Sequence, residues 1–558
     1  MANDYSKLPK EDLLKIIEKI ESRKKYGLVW DEERIKERFE RESENALPVL
    51  KEVKGKEVIT DQTKPTHILI EGDNYHALSV LNYTHQGRID IIYIDPPYNT
   101  GNKDFKYNDC WVDREDTYRH SKWLSFMNKR LRLAKNLMSE GGAIFISIGD
   151  DEVAQLKILC DGIFGEDNLL SIISRKSKAT SNKGNFFSPS TDYVLVYARN
   201  YNLLDEFDDP FAQTTEKYLK LFKHKDKRGK FNIVSLYMPS LDPRPNQRYF
   251  ITCPDGSKVI TPEEDKMFRW IPKTFEKNLK DDRVVFIKTK TSPLIDEHGN
   301  SAKWNIYTKI YLHERQETGM KPLTFIDIPN SLGSKELIKM GIDFPFSKPR
   351  ELIEYLLRIA NKKSNINVLD FFAGSGTLGH AVLNLNNNDK GNRVFILCTN
   401  NEENICTEIC YPRLTKAING YKTPKKEHIE GLGGNLKYFK TAFVKRTISK
   451  DSLKMRITKE CTEMLCLREG IFDEKKKTDD YRIFEHNGRI IAVYYSLGRS
   501  ELKSLKKELD KMHGDKILYC FTLDPLGLDK SDFEDWKGVT LEPIPQKILD
   551  VYEDIYEY

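Results

Sequence analysis

No stretch of this chain approaches the ~18–20 consecutive apolar residues that a membrane helix needs, so no membrane role is expected. The opening residues, Met1-Ala2-Asn3-Asp4-Tyr5, lack the basic-then-apolar pattern of a secretory leader. Excess charge of one sign is also small. The 90 basic and 85 acidic side chains leave a net charge of +5, so nucleic-acid binding has to be argued from clustering. Nine cysteines, an odd number, fit free thiols in a reducing cytoplasm. Neither Cys406 to Cys410 nor Cys461 to Cys466 has partner histidines at zinc spacing, so no metal site is expected. There is no repeat at solenoid spacing. Gly374 to Gly379 has phosphate-loop spacing, but His380 stands where the lysine is required, which argues against nucleoside-triphosphate binding there.

What the chain does have is Asp95-Pro96-Pro97-Tyr98, directly after the apolar run Ile89 to Ile94. A carboxylate, two rigid prolines and an aromatic ring thus sit at the C-terminal end of a predicted buried strand, where parallel α/β sheets place ligand chemistry. The combination suits gripping a planar base by its exocyclic amine. Much further along, Asp370-Phe371-Phe372-Ala373-Gly374-Ser375-Gly376-Thr377 supplies a glycine-rich turn after a second strand. Small residues there let backbone approach a ligand, and the following helix N-terminus adds donors. Either motif alone also occurs as a plain turn; together with Glu71-Gly72-Asp73-Asn74 they point to one site.

The 558 residues suffice for roughly three or four domains at ~150 residues each. Leu13, Ile16, Ile17 and Ile20 predict an amphipathic helix within a helical segment, 1–60. Over 61–174 strands and helices alternate. Strands are expected at His67 to Ile70, Ile89 to Ile94 and Ala143 to Ser147. One helix carries Trp123 to Met138 and stops at Gly141-Gly142; another, capped by Asp150, carries Val153 to Ile163. Residues 175–340 read as a loop-rich insert with interleaved basic and aromatic residues, among them Arg175, Lys176, Lys178, Lys183, Lys225, Lys227, Arg228, Arg244 and Arg248. The alternation returns over 341–440, with a helix opened by Pro349 and strands at Val368 to Phe372 and Arg393 to Leu397. Residues 441–558 predict a small separate α/β domain. The fold class is therefore α/β, a mostly parallel sheet with helices on both faces.

In these motifs the sequence resembles the amino-group DNA methyltransferases that use S-adenosylmethionine. It is most similar to the permuted class, in which the catalytic tetrapeptide precedes the glycine motif, and within it to the modification subunits of type III restriction–modification systems. The likeness covers most of 60–440, including Phe344-Pro345-Phe346-Ser347-Lys348-Pro349, Asn386-Asn387-Asn388 and Gly431 to Thr441. It implies a Rossmann-like sheet with an inserted target-recognition domain. Asp95 and the Pro96 carbonyl would accept from the adenine amine and Tyr98 would stack on the extruded base, with Pro97 a member of the same catalytic tetrapeptide and Phe105 and Tyr107 as candidate neighbours. Asp370, Phe371, Ala373, Gly374, Gly376 and Thr377 would lie along the cofactor, with Asp95 near its ammonium. Phe344, Ser347 and Lys348 would close over its carboxylate side, and Asp73 and Asn74 would meet its adenine. The acidic residue that commonly takes the ribose is displaced here, leaving Glu402 or Asn400.

The implied activity is sequence-specific adenine-N6 methylation of duplex DNA after base flipping. N4-cytosine methylation is the alternative within the same chemistry, and a catalytically silent DNA-recognition subunit delivering a nuclease is the alternative outside it. The expected partners are double-stranded DNA, a second copy of the chain and a separate translocase–nuclease subunit.

Overall fold

The structure, a computed structural model, describes residues 9, 37, 42, 45–61, 63–102, 104–107, 110–178, 186–209, 216–239, 244–263, 266–318, 320–360, 363–447, 449–524 and 526–556. The stripe from Leu13 to Ile20, most of the 1–60 segment and Lys183 lie outside these residues. Residues 206–322 form one compact unit and the rest of the chain another.

The larger unit is built on one sheet. Its strands are β1 (Ala46–Glu52), β2 (Thr66–Glu71), β3 (Ile89–Ile94), β4 (Met138–Ile148), β5 (Leu169–Lys176), β6 (Thr191–Ala198), β7 (Phe325–Ile326), β8 (Asn367–Asp370), β9 (Val394–Thr399) and β10 (Asn435–Lys445). The spatial order is β1-β10-β2-β9-β8-β3-β4-β6-β5-β7, and an eleventh short strand, Val58–Ile59, pairs with β10 off this path. From β10 to β4 all neighbours are parallel; β1 pairs antiparallel on one side, and β6 pairs antiparallel with both β4 and β5 on the other.

Helices cover both faces because the central strands bury both. Ile68, Ile92, Ile144, Leu369 and Ile396 join a core cluster with residues of α1 (Asn74–Thr84), α2 (Arg119–Leu137) and α3 (Val153–Phe164). The alternate residues Leu69, Ile91, Phe145, Val368, Phe395 and Leu397 are just as buried. The second helical layer holds α4 (Ser331–Lys339), α5 (Arg350–Ala360), α6 (Thr377–Asp389) and α7 (Tyr411–Asn419). A methyl group added at Gly379 of α6 would stand 3.0 Å from Leu397 and 3.3 Å from Phe395, so glycine permits the close approach of helix and sheet.

After β8 the chain crosses through α6 to β9, on one side; after β3 it crosses through α2 to β4, on the other. The sheet's topological switch point therefore lies between β8 and β3, and a crevice opens at the C-terminal ends of those strands. The glycine turn follows β8 and the Asp95 tetrapeptide follows β3. Their register, Val368 opposite Ile91 and Leu369 opposite Ile92, puts two motifs some 275 positions apart in sequence at one edge of the sheet.

Four expectations need correction. The insert is shorter than 175–340: β5 and β6 form an antiparallel hairpin in the main sheet, and 323–340 contributes β7 and α4 to the same unit. Asp192 and Arg175 disguised that hairpin as a polar loop, yet they are buried as an ion pair. The helix expected to run to Gly141-Gly142 ends at Leu137, and both glycines lie within β4, where carbonyls of Ser139 and of Ile89 and Asp90 in β3 crowd any side chain at 142. Asp150 does not cap α3; Glu152 occupies the boundary position, with its side chain turned inward. Finally, residues 441–558 are not a free-standing domain. Their five-stranded sheet has one core of its own around Ile483, Ile490 and Leu505, but Phe484, Ile491, Tyr519 and Tyr552 belong to the same core cluster as α1 and α2.

The smaller unit carries a four-stranded antiparallel sheet, from His224–Asp226 through Gly229–Ser235 and Trp304–Tyr311 to Val284–Lys288. Leu236, Ile251, Phe268, Phe275 and Ile306 form its core.

Candidate active site

The loop after β3 is stiffened from below. Trp123 of α2, fully buried, donates its indole N–H to the Pro97 carbonyl at 2.8 Å. Tyr98 lies against Gly149, where an added Cβ would sit 2.8 Å from the ring, so only glycine leaves room for it. The Tyr98 hydroxyl is buried and has no hydrogen-bond partner among the described residues. Asp95 receives the Lys348 ammonium on both oxygens, at 2.7 and 2.8 Å, and the same ammonium stands over the Tyr98 ring. Carboxylate, aromatic face and cation thus form one cluster. Phe105 and Tyr107, candidates for a base-binding wall, are buried beneath the loop; Phe105 packs edge-on against Phe126.

The glycine turn is equally ordered. Asp370 is buried and accepts the Phe372 amide at 2.9 Å. Burial first, and then the nearby Asp95 charge, push its carboxyl well above the usual range, against the pull of the Phe372 amide. Gly374 and Gly376 have φ of +49° and +75°, the left-handed region that favours glycine. An added Cβ at 376 would press on the Cys410 sulfur at 2.9 Å, whereas one at 374 would meet nothing nearer than 3.9 Å. Gly376 is therefore fixed by packing, and Gly374 leaves open backbone. Phe371 and Ala373 are buried at the turn.

Arg413, on α7 and fully buried, organises the second wall. Its Nη1 donates to Ser347 Oγ (3.1 Å), Ser375 Oγ (3.1 Å) and Thr377 Oγ1 (2.8 Å), and its Nη2 to Glu336 Oε2 (2.7 Å). Burial works to raise the Glu336 carboxyl, but the Arg413 and Arg350 guanidiniums bring it below its ordinary value. The side chains of Ser347 and Thr377, expected on the cofactor, are thus committed to tying the Phe344–Pro349 segment to the glycine turn. Sequence reasoning missed Arg413; its place on one helix face with the buried apolar residues Leu414, Ala417 and Ile418 was the available signal.

Asp73 caps α1, accepting the Tyr75 amide at 2.8 Å. Asn74 donates to the Phe371 carbonyl at 2.9 Å and accepts from Arg130 Nε at 2.5 Å, so it links the β2–α1 turn to the glycine turn. Phe344 is half-buried beside the exposed Phe346. Asn400 is exposed after β9, and Glu402 is half-exposed and paired with Lys106 at 2.9 Å.

The basic residues separate into two kinds. Arg175 is a core residue, donating to Asp192, Ile328 O and Asn330. Lys176 is half-buried, 3.9 Å from Asp327, while Lys178 is exposed. In the smaller unit, Lys225, Lys227 and Arg228 are exposed on the hairpin joining its first two strands, and Arg244 is exposed. Arg248 is half-buried and donates to the Thr261 carbonyl at 3.2 Å.

Comparison with known proteins places this geometry. The family model described as DNA methylase matches residues 89–410, which include both motifs. The Mod subunit of the type III restriction-modification enzyme StyLTI of Salmonella typhimurium is 32% identical over 61% of this chain and 53% of its own length. The EcoP15I Mod subunit of Escherichia coli is 30% identical over 69% of this chain and 66% of its own. The type II methyltransferase M.KpnI of Klebsiella pneumoniae is 29% identical over 67% of this chain and 90% of its own. The chain thus spans between half and two thirds of the length of these two type III subunits. With a matching model over more than half its residues and both motifs at one switch point, this chain belongs to the DNA methylase family.

Proposed function

We propose that this protein transfers a methyl group from S-adenosylmethionine to adenine N6 in duplex DNA, as the modification subunit of a type III-like restriction–modification system. One observation carries the reading: Asp95 and Gly374 follow adjacent strands at the sheet's switch point.

The residues fit the cofactor. Open backbone at Gly374, flanked by buried Phe371 and Ala373, leaves a path for an extended ligand, and Asp95 offers an anion for an ammonium group. When bound, S-adenosylmethionine supplies an electrophilic methyl on sulfur. Asp95 and the Pro96 carbonyl accept the two N–H groups of the exocyclic amine and aim the nitrogen lone pair. That amine is a poor nucleophile because its lone pair is delocalised into the ring. Fixed acceptors act by positioning and electrostatic preorganisation, without a covalent intermediate. Transfer to the nitrogen would break the S–C bond and release a neutral thioether, and one of the two amine protons held by Asp95 and the Pro96 carbonyl would then be lost to solvent. Tyr98 supplies the face on which a flipped base stacks. Asn400 or Glu402 would take the ribose; Glu402 would do so while shared with Lys106.

Lys178, Lys225, Lys227, Arg228 and Arg244 are suited to phosphate contact, and target choice resides in 206–322. A second copy of the chain and a separate translocase–nuclease subunit complete the proposed assembly. Asp at position 95 favours adenine over cytosine by the habit of the resembled family.

The deciding experiment expresses the chain in a methylation-free host and sequences single molecules of genomic DNA. N6-methyladenine in one sequence context is expected, and none with Asp95→Ala, whose fold should stay intact. N4-methylcytosine would replace the adenine reading; methylation by Asp95→Ala would refute the role of the carboxylate.

A further inference from the structure

Behind the Asp95–Tyr98 loop, three side chains close on one another. Asn99 directly follows Tyr98, is fully buried and has φ of +56°. Its Nδ2 donates to Glu152 Oε1 at 2.6 Å and to the Arg119 carbonyl at 3.2 Å. The same Glu152 oxygen meets His120 Nδ1 at 2.6 Å. Arg119 Nε donates to His120 Nε2 at 3.2 Å, so Nε2 holds the lone pair and the ring proton sits on Nδ1, facing Glu152. Glu152 Oε1 therefore accepts twice. Two oxygens are left over: Glu152 Oε2 and Asn99 Oδ1 are both buried and have no hydrogen-bond partner among the described residues. With Glu152 ionised both are acceptors only, and each carries the cost of an unmet buried polar atom. A proton on Oε2 would turn that atom into a donor, and the unmet acceptor on the residue already bonded to Glu152 is Asn99 Oδ1.

We propose that Glu152 is a positioning residue kept in its neutral, protonated form, doubly hydrogen-bonded to the Asn99 carboxamide, and that this pair fixes the turn by which the chain leaves the Asp95–Tyr98 loop. The inference rests on the methyltransferase reading only for its effect on turnover. The charged and titratable groups around the pair agree with it. On α2 these are Arg119 and His120; before α3 it is Asp151, 3.6 Å from Arg119 Nη2; on α3 the neutral Gln155 reaches His120 at 3.4 Å. Burial, the largest influence, pushes the Glu152 carboxyl up to about 8; Asn99 and Arg119 pull it down, and Asp151 adds to the rise. Burial and then Arg119 push the His120 imidazole down, so it stays neutral at neutral pH. Asn tolerates the left-handed region better than most residues, and the paired amide holds it there. Loss of the Oε2 proton turns a negative oxygen toward Asn99 Oδ1, and the turn loosens.

The expected pattern is unusual for a buried acid beside an active site. Glutamine copies the neutral acid, donating from Nε2 and accepting at Oε1, so Glu152→Gln keeps kcat at neutral pH within about threefold. It also abolishes the alkaline fall in kcat that wild type shows as pH rises past about 8. Glu152→Ala loses about 10-fold or more in kcat while cofactor Kd stays within about threefold. A readout independent of activity is the infrared carboxylic-acid C=O band. Wild type minus Glu152→Gln shows it at neutral pH, and it fades at alkaline pH. A missing band overturns the proposal, as does an alkaline limb that persists in Glu152→Gln, or a Gln variant as impaired as the Ala variant. If wild type methylates no DNA, the functional reading fails while the infrared band still decides whether Glu152 holds its proton.

Discussion

The Lys348 ammonium stands 2.7 and 2.8 Å from the two Asp95 oxygens and 4.8 Å from the centre of the Tyr98 ring. Lys348 belongs to the segment before α5 and Asp95 to the end of β3, so this pair joins the two halves of the permuted chain. Its partial burial makes the contact stronger than a surface ion pair.

Replacing Lys348 with methionine keeps the stem and removes the charge. Turnover should fall on the order of 10–100-fold, the value of a hydrogen bond to a charged group, with Lys348→Arg retaining more. Single-turnover methyl transfer measures it, and undiminished rates in Lys348→Met would show that the contact is incidental.

Tyr98→Ala removes the aromatic face but none of the groups around Gly374. Base stacking is worth about 1–3 kcal/mol, so kcat/KM for DNA should drop roughly 5–150-fold. Cofactor affinity by calorimetry should hardly change; parallel losses in both would argue against stacking.

Arg413→Met removes the cation on Glu336 Oε2, leaves Arg350 on Oε1 at 2.6 Å, and unties Ser347, Ser375 and Thr377. Breaking a buried pair on one side costs about 3–5 kcal/mol, readable by chemical denaturation. Adding Glu336→Gln should restore part of that loss. A double variant no more stable than the single would place the cost elsewhere.

Two buried imidazoles make stability depend on acid. His67, stacked on Phe395, and His380 are both pushed down to about 3, chiefly by burial. Their folded values lie below the unfolded value of about 6.5, so they contribute fully above pH 6.5. The contribution is lost progressively as pH falls toward 3, because only the unfolded chain takes up the protons. The denaturation midpoint should therefore decline across that window. His67→Leu should show a shallower acid slope than wild type, whatever its stability at neutral pH; an unchanged slope would exclude His67 as a source.

Much of the site was readable along the chain. The apolar run before Asp95 and the small residues after Asp370 announce themselves locally, because strand burial and left-handed turns leave marks on neighbouring positions. The β5–β6 hairpin was not readable, since Arg175 and Asp192 cancel each other's charge only once the strands pair. Nor were Glu336 with Arg413, or Glu152 with Asn99: each partner is ordinary in its own segment.

The sequence by itself determined which strands end in chemistry, and that a carboxylate–aromatic motif and a glycine turn occur in one chain. Tertiary structure alone decided that β3 and β8 are neighbours, that Lys348 meets Asp95, and that Ser347 and Thr377 serve Arg413. The division has a physical cause. Burial periodicity and backbone conformation act over a few residues, whereas the pairing of buried polar groups depends on which distant segments the sheet order brings together.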